Sequence, residues 1–351
     1  MIDPTRCLAA QQRLRGWLLG PAVQLATGPQ RGGVAGLLDA RGQPQYVYAE
    51  ITGYYLHWLA SLPQAATPAR AAAAAALDWL RRHYAEPAPA TRAYLGTDPP
   101  ADWRNRCRFL FDLGMVVGGI AAATRRGLVA APQALLDQLY ARASEFLEPD
   151  GSLAAIRGDA VESRWSTRPG PYQAKPASRI LAADALRPLP GALRAACVAT
   201  LRLHAPQAGR PGHAELHPAL YHLEGVACAE RPDWPAIGAT LDVLLRLDDG
   251  DGRLPEVAGG DLRRLDVSAQ ALRIGLLLRS ARHEAPDDAT LARLAGLLAA
   301  AVDPAGGIAF RSDRPGPERN VWCAMFAEQA LGWYVPWRAH GDAGAAADAL
   351  V

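Results

Sequence analysis

Aromatic residues are scarce in this chain, 7% of the total, and its five cysteines contain no Cys-x-x-Cys pair. Cys7, Cys107, Cys197, Cys228 and Cys323 are scattered and odd in number, which fits reduced, mostly buried thiols better than a disulfide framework. An excess of one charge is also missing. The formal net charge is +2 with both signs interspersed, so there is no basic stripe for nucleic acid and no polybasic patch for a bilayer surface. The longest apolar runs, such as Ala71 to Leu77, are Ala-rich and far short of the roughly 20 residues that span a bilayer. Met1 to Leu19 carries Asp3, Arg6, Arg13 and Arg15 among its apolar residues, without the uninterrupted core or cleavage site of an export signal. A cytoplasmic protein is expected, with no nucleic-acid partner and no membrane insertion. At 351 residues, half of them hydrophobic, the chain can bury a large core, and no stretch reads as a linker. One domain spanning 1–351 is expected.

What is present is a phrase that returns: Glu148-Pro149-Asp150-Gly151-Ser152-Leu153, then Asp249-Gly250-Asp251-Gly252-Arg253-Leu254, then Asp303-Pro304-Ala305-Gly306-Gly307-Ile308. Each copy follows one helix-like segment and precedes another after a polar loop, the mark of an internal repeat. Apolar residues at three- and four-residue spacing recur in about twelve segments, starting near 5, 50, 69, 105, 131, 172, 190, 214, 234, 266, 288 and 320. Strand signals are nearly absent. The connections alternate long and short, which pairs the segments into six helical hairpins. Six hairpins around an axis predict an all-α fold, an (α/α)6 toroid with one ring of helices inside another.

The even-numbered segments hold the polar and aromatic residues and are assigned to the inner ring, while plain Ala/Leu/Arg amphipaths such as Leu291 to Ala301 suit the outer one. Glu50, Asp112, Lys175, His217, Asp266 and Asn320 lie near the starts of inner segments, so the toroid would gather them at one mouth. A polar cluster around a cavity is the default binding site.

Three phrases carry a resemblance: Tyr48-Ala49-Glu50-Ile51-Thr52-Gly53-Tyr54-Tyr55, Phe111-Asp112-Leu113-Gly114-Met115, and Asn320-Val321-Trp322-Cys323-Ala324-Met325-Phe326. With them the chain resembles the terpenoid cyclase and prenyltransferase-like α/α toroids, and more closely a group of toroids found near bacterial surface-polysaccharide genes. That resemblance implies the fold and leaves the reaction open.

Several toroid chemistries can be set against the residues. Asp248-Asp249-Gly250-Asp251 superficially offers the acids of a class II terpene cyclase, but it coincides with the repeat turn, where Asp and Gly are the residues a turn needs. Few aromatics also argues against isoprenoid chemistry. Cys228, Cys323 and His222 lack the local spacing of a zinc site, and neither a metal nor another cofactor is expected. Carbohydrate chemistry needs carboxylates or histidine for proton traffic and aromatic platforms for sugar faces. Here Glu50 and Asp112 are the expected acid and base, with Asp266 or His222 assisting. Tyr54, Tyr55, Trp58, Trp165, Tyr172 and Trp322 would form the walls, and Arg164, Arg168, Lys175, Arg319 and Asn320 the polar contacts, the cations holding a carboxylate or phosphate. Each has a plainer role too: Glu50, Asp112 and Asp266 as helix caps, His222 as a satisfied core histidine, His213 and His217 as loop residues. The expectation is a carbohydrate-active enzyme of hydrolase, lyase or epimerase type acting on a small-molecule or oligosaccharide substrate. An isoprenoid- or peptide-modifying cyclase and a non-catalytic glycan-binding scaffold are the alternatives.

Overall fold

Helices begin close to where the apolar periodicity places them. In the computed structural model, which describes residues 3–63, 67–96, 100–313 and 316–351, twelve α-helices are present among the described residues: α1 (Pro4–Leu18), α2 (Ala49–Ser61), α3 (Thr67–Ala85), α4 (Leu110–Arg125), α5 (Gln133–Ser144), α6 (Ala174–Ala182), α7 (Gly191–Leu203), α8 (Leu216–Ala227), α9 (Trp234–Leu245), α10 (Leu265–Ser280), α11 (Asp288–Ala301) and α12 (Val321–His340). The even helices pack side by side in the order α2, α4, α6, α8, α10, α12 and back to α2, so the inner ring closes. The odd helices lie outside, each against its hairpin partner. The protein is an α/α toroid. Inner helices are buried on nearly every face, α10 from Leu265 through Leu278, whereas α11 buries only one stripe.

The recurring phrase is turn chemistry. Asp150 Oδ1 accepts from Ser152 N, Asp248 Oδ1 from Gly250 N and Gly252 N, and Asp303 Oδ1 from Gly307 N. The last turn also touches the outer ring: Gly306 has φ 97°, and a Cβ there would lie 2.5 Å from Arg13 O. Gly306→Ala is therefore expected to destabilise the fold by about 1–3 kcal/mol, read as a lower urea midpoint at unchanged slope. A second close approach sits inside the ring, where a Cβ on Gly119 of α4 would come within 2.1 Å of Gly53 O on α2. Two helix backbones meet there with no room for a side chain.

Strands are not absent, contrary to the expectation. Among the described residues six short ones decorate the loops: β1 (Ala35–Leu38), β2 (Pro44–Tyr48), β3 (Arg92–Tyr94) and β6 (Arg319–Asn320) form an antiparallel sheet in the order β3-β2-β1-β6, and β4 (Cys107–Phe109) pairs with β5 (Ile156–Gly158). At two to five residues each they are too short for alternation to show in the sequence. Their role is positional: β2, β4 and β6 run directly into α2, α4 and α12 and fix where those inner helices start.

Candidate active site

Outer helices α1, α9 and α11 are capped by Asp3, Asp233 and Asp287, whose carboxylates accept from main-chain N–H groups one turn in. Four inner helices differ. The N-cap positions of α2, α4, α8 and α10 are Tyr48, Phe109, Glu215 and Arg264, all extended and none making a side-chain cap. Glu50 and Asp112 therefore lie in the first turn without capping it, and the plain reading of them as caps does not hold. Asn320 does cap, accepting from Cys323 N at 2.9 Å.

These helix starts surround a cavity of about 640 Å³ lined by Glu50, Asp112, Arg164, Trp165, His217, Tyr221, Arg264 and Trp322, with Tyr48, Arg92, Phe109, Phe111, Glu215, Glu256 and Phe310 among the remaining walls. On one side Glu50 and Asp112, both half-buried at the wall, form a carboxyl pair. The Tyr48 hydroxyl donates to Asp112 Oδ1 at 3.2 Å and is within reach of Glu50. Burial pushes Glu50 up to about 7, against the pull of Tyr48 and Arg92. Burial and the charge of Glu50 hold Asp112 well above the usual carboxylate range. Two carboxyls in one dry site cannot both ionise cheaply, so the pair retains a proton near neutrality.

Across the cavity stands a second group. Asp266 is fully buried, gripped by Arg264 through Nε at 3.0 Å and Nη2 at 2.7 Å, and accepts from Trp322 Nε1 at 3.1 Å. Burial alone would raise its pKa, but Arg264 and His217 hold it down at about 2. Asp266 is a fixed carboxylate, both of its oxygens taken by Arg264 behind the cavity wall. His217 Nδ1 lies 2.7 Å from Gln270 Oε1 and 3.5 Å from Asp266 Oδ2. Two acceptors facing Nδ1 place the proton there and leave the Nε2 lone pair free. Burial and the nearby Arg264 charge push the imidazole down to about 3, so it is neutral at physiological pH.

The ring-shaped arrangement brings five of the expected site residues to the cavity wall: Glu50, Asp112, Arg164, Trp165 and Trp322. Asp266 stands behind it, and Tyr54 and Tyr172 sit just beneath, Tyr54 beside Tyr221 and Tyr172 against Trp165 at 4.9 Å between ring centroids. The others are placed elsewhere. Tyr55 and Trp58 point from α2 toward other helices, the Tyr55 hydroxyl donating to Leu18 O and Trp58 Nε1 to Glu328. His222 is five residues beyond His217, turned off the axial face, with Nε2 on His204 O at 2.6 Å. Arg319 is held by Asp303 of the repeat turn, and Arg168 is exposed outside the cavity. Lys175 is fully buried below, paired with Glu224 at 2.5 Å. It sits deep because α6 is only nine residues long and starts low: its first turn packs against Gly225, well inside α8.

Of the expected cationic clamp, Arg164 alone reaches the wall among the described residues. The four arginines there have internal partners: Arg92 and Arg104 share Asp102, Arg164 pairs with Glu162, and Arg264 pairs with Asp266 and Glu256. Asp248, Asp249 and Asp251 do cluster, but Arg293, Arg263 and Arg253 neutralise them and Asp248 holds the turn. Sequence reasoning placed His217 at the mouth but gave it no part in the chemistry. Its signal was phase, since His217, Tyr221 and Glu224 fall at i, i+4 and i+7 on one face of α8.

Solved structures share this architecture. A D-mannose isomerase superposes with a TM-score of 0.67 at 14% identity, over 95% of this chain and 97% of that one. The cellobiose 2-epimerase of Spirochaeta thermophila DSM 6192 gives 0.65 at 16%, over 95% and 98%. A type II terpene cyclase from Scytonema, in complex with merosterolic acid A, gives 0.58 at 15%, again over 95% and 98%. No protein-family model and no curated protein sequence matches the chain. The resemblance to α/α toroids is therefore one of fold, and the connection to surface-polysaccharide genes finds no support in these comparisons. No helix among the described residues is long and apolar enough to cross a membrane.

Proposed function

We propose that the mouth of the toroid binds a saccharide and moves a proton on it, in the manner of a sugar isomerase or epimerase. The observation that carries this reading is the pairing, across one cavity, of a carboxyl pair that keeps a proton at neutral pH with an imidazole whose Nε2 lone pair is free. In the proposed step His217 Nε2 takes the proton from a carbon next to a carbonyl, and the Glu50/Asp112 pair donates its proton to the carbonyl oxygen. From the resulting enediol, return of the proton to the former carbonyl carbon while the second hydroxyl gives its proton to the carboxyl pair completes isomerisation, and return to the opposite face of the first carbon while the first hydroxyl gives its proton back to the pair completes epimerisation. Asp266 holds the imidazole in the productive tautomer and acts as a positioning residue. Trp165 and Trp322 offer aromatic faces to the sugar. Glycoside hydrolysis fits less well, because it needs one ionised carboxylate facing the substrate. The ionised Asp266 is locked behind Arg264. The mannose isomerase and cellobiose epimerase structures indicate that this fold accommodates such chemistry.

One feature favours a second reading. Seven aromatic residues, Tyr48, Phe109, Phe111, Trp165, Tyr221, Phe310 and Trp322, line the cavity around a protonated carboxyl, which also suits proton-initiated cyclisation of an isoprenoid. Incubating the protein with neutral mono- and disaccharides in deuterium oxide separates the two. Deuterium entering the sugar at the carbon beside its carbonyl, roughly 100-fold or more slowly in His217→Gln, is the expected result. Sugars left unexchanged while a polyprenyl compound is cyclised would replace the first reading with the second.

A further inference from the structure

The far end of the toroid holds a site of a different kind. Residues 347–351, running in from the end of α12, lie across the inner ring, and five successive main-chain carbonyls are each met by a side chain. Cys228 Sγ donates to Ala347 O at 3.1 Å, His57 Nε2 lies 2.7 Å from Asp348 O, Gln329 Nε2 donates to Ala349 O at 2.6 Å, and Arg179 Nη2 to Leu350 O at 2.6 Å. Val351 O accepts from Lys175 Nζ at 3.1 Å and from Arg273 Nη1 at 2.9 Å, while Val351 N donates to Gln329 Oε1 at 3.1 Å. Leu350 and Val351 are 0% exposed. These donors come from four inner helices, α2, α6, α10 and α12, and from the residue that ends α8.

The donors are unlike the rest of the interior. Lys175 is the one lysine of the chain, all other cations being arginine, and it is buried with Arg273 around a single carboxylate, Glu224. Lys175 and Arg273, with Arg179 close by, carry more donors than Glu224 can accept from, and the segment's oxygens accept the remainder. Recognition is through the main chain, with two apolar side chains as anchors. Beside the segment a cleft of about 950 Å³, lined in part by Arg179, Cys228, Ala347 and Asp348, brings solvent to its edge.

We propose that the far end of the toroid is a second binding site, built for a short peptide segment that makes one 3-10 turn and ends in apolar side chains, and that residues 347–351 of this chain occupy it as a displaceable stopper. The stopper lies under the floor of the mouth cavity. Lys175 Nζ sits 4.4 Å from the centroid of the Tyr221 ring, and Tyr221 lines the cavity above. Seating or release of the segment is therefore two residues away from the upper site. The proposal is independent of the reaction assigned to the mouth, and its test does not read activity.

Because Lys175 is the one lysine, an amine-acylating reagent followed by peptide mass spectrometry reports its exposure in the full chain. Wild-type protein is expected to be protected there. Full-length Leu350→Asp, which forces a carboxylate into an apolar seat, is expected to acylate at Lys175 roughly tenfold faster or more. Adding the synthetic peptide of residues 343–351 is expected to restore protection, and the same peptide bearing Leu350→Asp is expected not to. If Leu350→Asp lacks the helical circular dichroism of the wild type, Gln329→Leu, which removes two grips from the barrel side, is read in the same way. Wild-type-like protection of Lys175 in the folded variant overturns the proposal. So does faster acylation that the wild-type peptide leaves unchanged, since the far end would then not be a separable peptide site.

Discussion

Replacing Glu50 with Gln is expected to lower turnover by roughly 100- to 10,000-fold and, in the same protein, to raise stability above pH 7. Both follow from one cause. Desolvation at the cavity wall pushes the pKa of Glu50 up to about 7, against roughly 4.3 for a solvated glutamate. Between those values the folded protein holds a proton that the unfolded chain has released, so stability falls as pH rises through this window and the loss is complete above about 7. An amide in place of the carboxyl does not ionise and escapes the loss, a gain of roughly 1–3 kcal/mol at pH 8 that shrinks to nothing below about pH 4. The same amide cannot transfer a proton. Asp112→Asn is expected to follow the same pattern, because burial and the charge of Glu50 raise its carboxyl. The measurement is a pair of profiles, urea midpoint and turnover against pH, for the wild type and both variants. A variant that loses activity without gaining stability at pH 8 would refute the idea that the pair is kept protonated at the expense of the fold.

The second large effect lies at the centre of the barrel. Glu224 takes Lys175 on Oε2 and Arg273 on Oε1, all three side chains being fully buried. Glu224→Gln removes the one anion between two cations and is expected to destabilise the protein by about 3–5 kcal/mol. Removing Lys175 as well, in Glu224→Gln/Lys175→Met, is expected to recover a large part of the loss, since fewer unpaired charges remain. The pH dependence has the opposite sign to that of Glu50. Burial depresses Lys175 to about 7, more than Glu224 can offset. Between about 7 and the ordinary lysine value of 10.5 the unfolded chain therefore binds the extra proton, and stability rises with pH. Lys175→Met is expected to flatten that rise. Urea midpoints at pH 7 and pH 9 for the two single variants and the double variant test both claims.

The helices were legible in the sequence because each must bury a stripe, and burial writes a 3.6-residue period into residues such as Leu291, Leu294, Ala295 and Leu298. The turns were legible because Asp150, Asp248 and Asp303 do their work within four residues of themselves. Even the ring of polar residues at inner-helix starts could be read, for the alternation of long and short links already implied one mouth. Averages hid the rest. Aromatics at 7% of the chain say little about a cavity where seven of them meet.

What the sequence determined by itself, then, was local: where helices run, where they stop, and that Glu50 and Asp112 stand at the start of inner ones. Tertiary structure decided which neighbouring residues share a site. His217 faces the cavity and His222 does not because five residues along α8 turn the side chain off the axial face. Lys175 belongs to the far end because α6 begins low against Gly225, a matter of how two helices slide past each other. Of the arginines expected to clamp a substrate, Arg164 is paired with Glu162 two residues away and Arg319 with Asp303 of the repeat turn. Periodicity reports the orientation of a side chain relative to its own helix. It carries no term for the height or rotation of that helix within the ring, and those two coordinates placed every residue the sequence misassigned on a helix.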